Sequence, residues 1–151
     1  MAADKLTAVQ EVLKNAVVPA LTKALANPHA ASLVWDVMKL MPYHGRYSVY
    51  GHVKALTLKE PQMMLAKAHI RMQSKDVLNR ISNETERQQG RALGKCSHSN
   101  PIVVFDHVVT NMTSMPNLID AMVNTLRYIT PLSFDVLMFT PGQKISTRIL
   151  G

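Results

Sequence analysis

A single cysteine, Cys96, stands in the 151 residues, so no internal disulfide can form and a reducing compartment is expected. Aromatics are scarce at 5%, and the Val, Ile, Thr and aromatic alternation that sandwiches and barrels need is missing. No span reaches the ~18 uninterrupted apolar residues of a membrane helix, so no membrane partner is expected. Asp4, Lys5, Glu11 and Lys14 interrupt the first apolar residues. That makes a poor secretory core, and two acids without an arginine make a poor transit peptide. The sequons at Asn83 and Asn111 then carry no meaning, because they require secretion.

Catalytic signatures are missing too. There is no P-loop, GxGxxG, GxSxG, HExxH or CxxC. The nearest thing to a ligand set is Cys96-x-His98 with His44 and His52 upstream. A structural zinc site wants four ligands with a paired knuckle at each end, and the second pair is lacking. Cys96 and His98 also fail as nucleophile and base, since neighbours two apart on a helix end do not face each other and no orienting acid follows. Asp36, Asp106 and Asp135 sit singly inside apolar helices, where exposed edges or caps are the usual role. Neither catalysis nor a cofactor or metal is expected.

What is present is helical material. Apolar residues make up 47% of the chain and include ten methionines, with many Ala and Leu. Most of the eight prolines fall where a helix should begin. Asn27-Pro28 and Asn100-Pro101 pair an N-cap residue with proline at the first helical position, where its missing N–H is no loss. Asp4 is expected to cap a first helix with Leu6, Val9, Leu13, Ala16 and Val17 on one face, kinked or split at Pro19 before Leu21 and Leu25. Leu33, Val34, Val37, Met38 and Met41 mark a second apolar face. Met41-Pro42 opens a further helix, weakened by Gly45 and Gly51, whose Tyr43, Tyr47 and Tyr50 form one stripe. Glu60-Pro61 opens the longest clear helix, with Met63, Ala66, Ile70, Val77 and Ile81 inward, broken at residues 82–84. Behind Asn100-Pro101, the apolar run 102–105 reads as a buried strand or a helix; the cap and the recurrence of Val104, Phe105, Val108, Val109 and Met112 favour helix. Met115-Pro116 restarts the chain toward Leu118, Ile119, Met122, Val123 and Leu126. Pro131 and Ser133 start a short last helix over residues 134–139. Residues 140–151 read as an irregular tail.

This rhythm of helices on short connectors predicts an all-α fold, an α-solenoid-like stack of antiparallel hairpins over residues 1–139. An array that stops mid-hairpin leaves apolar surface open, so the chain reads as a fragment of something longer.

The charge is concentrated. Between Lys39 and Lys95 lie eleven bases against four acids (Glu60, Asp76, Glu84 and Glu86), which accounts for the whole formal charge of +7. A neutral frame with a basic middle invites an acidic partner, protein or nucleic acid. Lys67, Arg71 and Lys75 run at i, i+4, i+8, and Arg87, Arg91 and Lys95 repeat the spacing. Each stripe reads either as a phosphate-facing surface with salt-dependent binding or as a solvated face paired with Asp76, Glu84 or Glu86. The tyrosine stripe reads first as core or a helix–helix contact and second as a base-stacking platform.

Two long, irregular segments carry a resemblance. PYHGRYSVYGHVK (Pro42–Lys54) and GRALGKCSHSNPIVVFDHV (Gly90–Val108), followed by LIDAMVNTLRYITPLSFDVL (Leu118–Leu137), resemble the large scaffold subunit of the THO complex, the THO complex subunit 2 family. The likeness covers roughly residues 34–138. Val53 stands where the family usually has Trp, Ser48 where it often has a basic residue, and Cys96 where it has an apolar one. The resemblance implies a non-catalytic helical scaffold in the nucleus. Its implied partners are the other THO subunits, the DEAD-box RNA helicase of the TREX assembly and mRNA, the last touched directly or through other subunits. Pro42, Tyr43, Arg46, Tyr47, Tyr50, Gly51, Gly94, Lys95, Ser97, His98, Ser99, Asn100, Pro101 and Phe105 would then be structural or inter-subunit residues. The competing reading is a free-standing basic helical module that binds RNA or DNA through its Lys/Arg stripes.

Overall fold

The helix starts follow the cap chemistry. In a computed structural model, which describes residues 1–24, 27–115 and 119–150, the Asn27 side chain accepts from the backbone N–H groups of His29 (3.0 Å) and Ala30 (3.2 Å). Asn100 accepts from Val103 N–H at 3.4 Å. Each satisfies first-turn donors that the helix itself leaves open. Ser133 N–H is likewise held by Thr130 Oγ1 at 3.2 Å.

The described residues form α1 (Ala2–Val12), a π-helical stretch (Leu13–Val17), α2 (Val18–Lys23), α3 (Pro28–Met38), α4 (Tyr43–Leu56), α5 (Pro61–Asn79), α6 (Glu86–Ser97), α7 (Pro101–Ser114), α8 (Ile119–Thr125) with a 3-10 turn (Leu126–Tyr128), and α9 (Pro131–Leu150). No strand occurs among them, and the fold is all-α. Residues 102–105 lie inside α7, buried and helical. None of these helices is long and apolar enough to cross a membrane.

Several expectations need correction. Asp4 does not cap α1. It sits in the first turn, 3.3 Å from the amino terminus, with both groups exposed. Proline at position 19 splits the first helix by way of the π-helical stretch, whose wider turns come immediately before α2. Leu25, Pro116 and Leu118 lie outside the described residues. The last helix does not stop at residue 139, and residues 140–150 are not irregular. α9 runs on through Pro141 to Leu150. Proline and glycine at 141 and 142 read locally as a stop, but Thr140 is buried and the next turn is tethered. Gln143 Oε1 accepts from Lys54 at 2.8 Å, and Lys144 Nζ donates to the Asp106 carbonyl at 3.1 Å.

The core forms where these helices cross. α5, α6 and α7 pack on one another as consecutive neighbours, and α6 also carries α8. α9 packs along α7 and reaches back to α3 and α4, so the two halves of the chain share one buried cluster centred on Met38, Tyr50, Met63, Leu93, Phe105 and Val136. Two predicted faces are only partly buried. On α8, Ala121, Met122 and Thr125 turn inward while Ile119 and Val123 stay exposed. On α3, Ala31, Val34 and Met38 are inward, and Leu33 and Val37 open onto an apolar groove beside Val9 and Val12 of α1. In both cases the apolar stripe is wider than the partner helix that covers it.

Candidate partner-docking surface

The polar residues of the two long segments cluster at helix crossings. Arg46 of α4 meets Asp135 of α9 in a two-pronged pair, Nε to Oδ2 at 2.8 Å and Nη2 to Oδ1 at 3.0 Å. Its third nitrogen, Nη1, donates to the Met41 carbonyl at 2.7 Å, and the guanidinium lies 5.7 Å from the Trp35 ring centre. The Tyr50 hydroxyl donates to Asp135 Oδ2 at 2.7 Å. The hydrogen bond to Asp135 holds the Arg46 guanidinium above its usual range despite burial, and burial first and the carboxylate second push the Tyr50 phenol well up. Tyr47 and Tyr50 meet Phe139 of α9 edge-on, with ring centres 5.3 and 5.6 Å apart. Tyr43 is exposed and meets Tyr47 edge-to-face. Tyr47 and Tyr50 are therefore helix–helix contacts while the rings that Tyr43 meets lie on its own helix, and Asp135, read from sequence as an edge or cap, is the anchor of a clamp.

The second segment does the same for α6, α7 and α9. Ser97 Oγ donates to the Gly94 carbonyl at 2.8 Å, while Ser133 Oγ reaches both the carbonyl and the hydroxyl of Ser97 at 3.1 Å. At Gly94 an added Cβ would lie 2.5 Å from the Tyr128 carbonyl oxygen, so only glycine lets the two backbones approach this closely. Asn100 and Ser99 are buried in the connector, Pro101 opens α7, and Phe105 is fully enclosed. His98 Nδ1 is buried without a hydrogen-bond partner, and burial lowers the pKa of that imidazole. Pro42 occupies the cap position of α4. Gly51 differs from the others, because nothing lies within 4 Å of where its Cβ would be. No contact among the described residues requires glycine there.

The pairing expected with Asp76, Glu84 or Glu86 does not form among the described residues, and all six stripe cations but Lys67 are exposed. Among the described residues no carboxylate lies within 4.0 Å of Lys67, Arg71, Lys75, Arg87, Arg91 or Lys95. Glu86 accepts from Asn124 instead, at 3.2 Å. Nor do the stripes merge. Lys67 and Arg71 line a cleft with Lys54 of α4 and Asp106 and His107 of α7. Burial, and then the charge of Arg71, lower the His107 pKa. Arg91 leans over the Tyr128 ring at 6.0 Å, and Lys95 borders a separate groove with His69 and Gln73. Asp36 is a true exposed edge, 2.6 Å from Lys39. Burial raises the Cys96 thiol pKa, which makes it a poor nucleophile. Among the described residues no three His, Cys, Asp or Glu side chains are grouped to hold a metal.

Residues 2–91 match the family described as THO complex subunit 2 N-terminus, and residues 93–148 match that described as transcription- and export-related complex subunit. The junction between the two falls inside α6. THO complex subunit 2 of Homo sapiens is 31% identical over 135 residues, covering 89% of this chain and 8% of the human protein. The Arabidopsis thaliana protein is 28% identical over 138 residues (91% of this chain, 8% of that protein), and the Saccharomyces cerevisiae protein 24% over 132 residues (85% and 8%). The chain thus spans only 8% of the length of each of these relatives.

Proposed function

The chain belongs to the THO complex subunit 2 family, and on that premise we propose that it is a non-catalytic helical scaffold segment of the THO complex in the nucleus. Its work is to hold docking surfaces for other THO subunits and for the DEAD-box RNA helicase, within an assembly that couples transcription to mRNA packaging and export. The observation that carries this reading is the use made of the polar motif residues. Arg46, Tyr50, Ser97 and Asn100 direct their hydrogen bonds to helix crossings and caps inside the chain. Rigidly fixed helices then leave their other faces to partners, as in a segment of a longer helical array.

A second reading, direct RNA or DNA binding, rests on the six stripe cations, which among the described residues have no carboxylate within 4.0 Å and are free to meet phosphates. A pull-down from nuclear extract separates the two. Bait of residues 1–151 should retain THO subunits equally with and without nuclease. Recovery of ribonucleoproteins only in the untreated sample would replace the scaffold with the nucleic-acid module.

A further inference from the structure

Between α4, α5 and α7 lies a cleft of about 100 Å³ with an unusual charge balance. Lys54, Lys67 and Arg71 line it, and Lys144 stands at its rim through bonds to the Asp106 carbonyl (3.1 Å) and the Thr110 hydroxyl. Among the described residues the one carboxylate facing these four cations is Asp106, 3.2 Å from Lys54 and 3.8 Å from Lys144. Lys67 is half-buried yet has no described carboxylate within 4.0 Å; Arg71, one turn on, is exposed and likewise has none. A cation that has lost part of its water without gaining an anion is a standing electrostatic deficit, which an incoming acid relieves.

We propose that this cleft receives an acidic side chain from a Glu/Asp-rich segment of a partner protein, with Lys67 and Arg71 as its ligands. This rests on the docking reading above and names the chemistry of one docking site. Three features favour a protein carboxylate over nucleic acid. The cleft is small, about 100 Å³ against 350–540 Å³ for the other described grooves, a scale suited to one carboxylate side chain. The one aromatic ring among its described lining residues is the His107 imidazole, and Tyr47 and Tyr50 are engaged by Phe139, so unpaired bases find little to stack on. Ile102 and Val103 form an apolar patch suited to the methylenes of Glu, and Asp106 already demonstrates a carboxylate held there by lysines.

The test uses the full chain and fluorescence anisotropy at physiological salt, with a fluorescein-labelled Glu/Ser repeat peptide and a labelled oligouridylate as probes. K67Q/R71Q should weaken peptide binding about tenfold, equivalent to ~1.4 kcal/mol, whereas R87Q/R91Q should change it less than about twofold, since a distant exposed charge adds little at this salt. D106N, which removes the competing internal acid, should tighten it. Far-UV circular dichroism verifies that each variant is folded. Equal losses in both double variants would mean diffuse attraction and overturn the site, as would weaker binding by D106N. Tighter binding of oligouridylate than of peptide, lost in K67Q/R71Q, would give the cleft to nucleic acid instead. The nuclear pull-down fails independently. Wild-type chain that recovers no THO subunits but binds peptide through Lys67 and Arg71 would sink the docking reading and leave the cleft.

Discussion

Replacing Asp135 by Asn tests the clamp at the α4–α9 crossing. The carboxylate takes two bonds from Arg46 and one from Tyr50, and the Arg46 and Asp135 side chains are only 18% and 13% exposed. The amide of D135N keeps the shape and loses the charge, leaving the guanidinium largely buried with only the Met41 carbonyl and the Trp35 face. Breaking one member of such a pair typically costs about 3–5 kcal/mol. For a chain of this length that is on the order of 10 °C in Tm. Y50F removes a single bond to a charged acceptor and should cost about 1.5–3 kcal/mol. The assay is urea unfolding followed by far-UV circular dichroism, with the slope held common to all variants. The double replacement R46M/D135L removes both charges at once, so its loss should fall well below the sum of the two single losses. Strict additivity in that cycle, or a loss below about 1 kcal/mol for D135N, would refute the clamp.

Other outcomes follow from contacts described above. G94A drives a Cβ into the Tyr128 carbonyl and should destabilise by more than about 2 kcal/mol, whereas G51A meets nothing and should stabilise α4 by about 0.5–1 kcal/mol in the same assay. His98 and His107 have lowered folded pKa values, so the native state prefers them neutral. Stability should be fully present above their ordinary pKa of about 6.5 and decline as pH falls below it; melts across that range should flatten in H98Q/H107Q. Removing residues 140–151 strips the Lys54–Gln143 and Lys144–Asp106 ties and should lower stability by on the order of 1–3 kcal/mol. An unchanged unfolding midpoint would mean that the end of α9 contributes nothing to the fold.

The helix starts were legible because caps are local. Asn27 and Asn100 announce them within three residues, and proline at the first position needs no tertiary context. The clamp was not legible, since Arg46 and Asp135 are 89 positions apart and a lone acid in an apolar helix looks the same whether it faces water or an arginine. The same limit hid the close approach of Gly94 to Tyr128. The tail misled for the opposite reason. Residues 140–151 show no apolar helical face and contain Pro141 and Gly142, yet tethers to α4 and α7 hold residues 140–150 in the helix. The stripes were visible as spacing, while their separation into a cleft and an open face depends on where α7 lies.

The crossing of α9 over α3, α4 and α7 also sets an order of events during synthesis. Residues 2–91 leave the ribosome before any of α9 does, and until it arrives Arg46 lacks its carboxylate and Tyr47 and Tyr50 lack Phe139. The contacts between the early helices and α9 therefore form only after α9 has emerged. Such non-local closure slows folding and lengthens the exposure of apolar surface. Until α9 docks, the faces of α3, α4 and α7 that it covers stay open to other apolar surfaces.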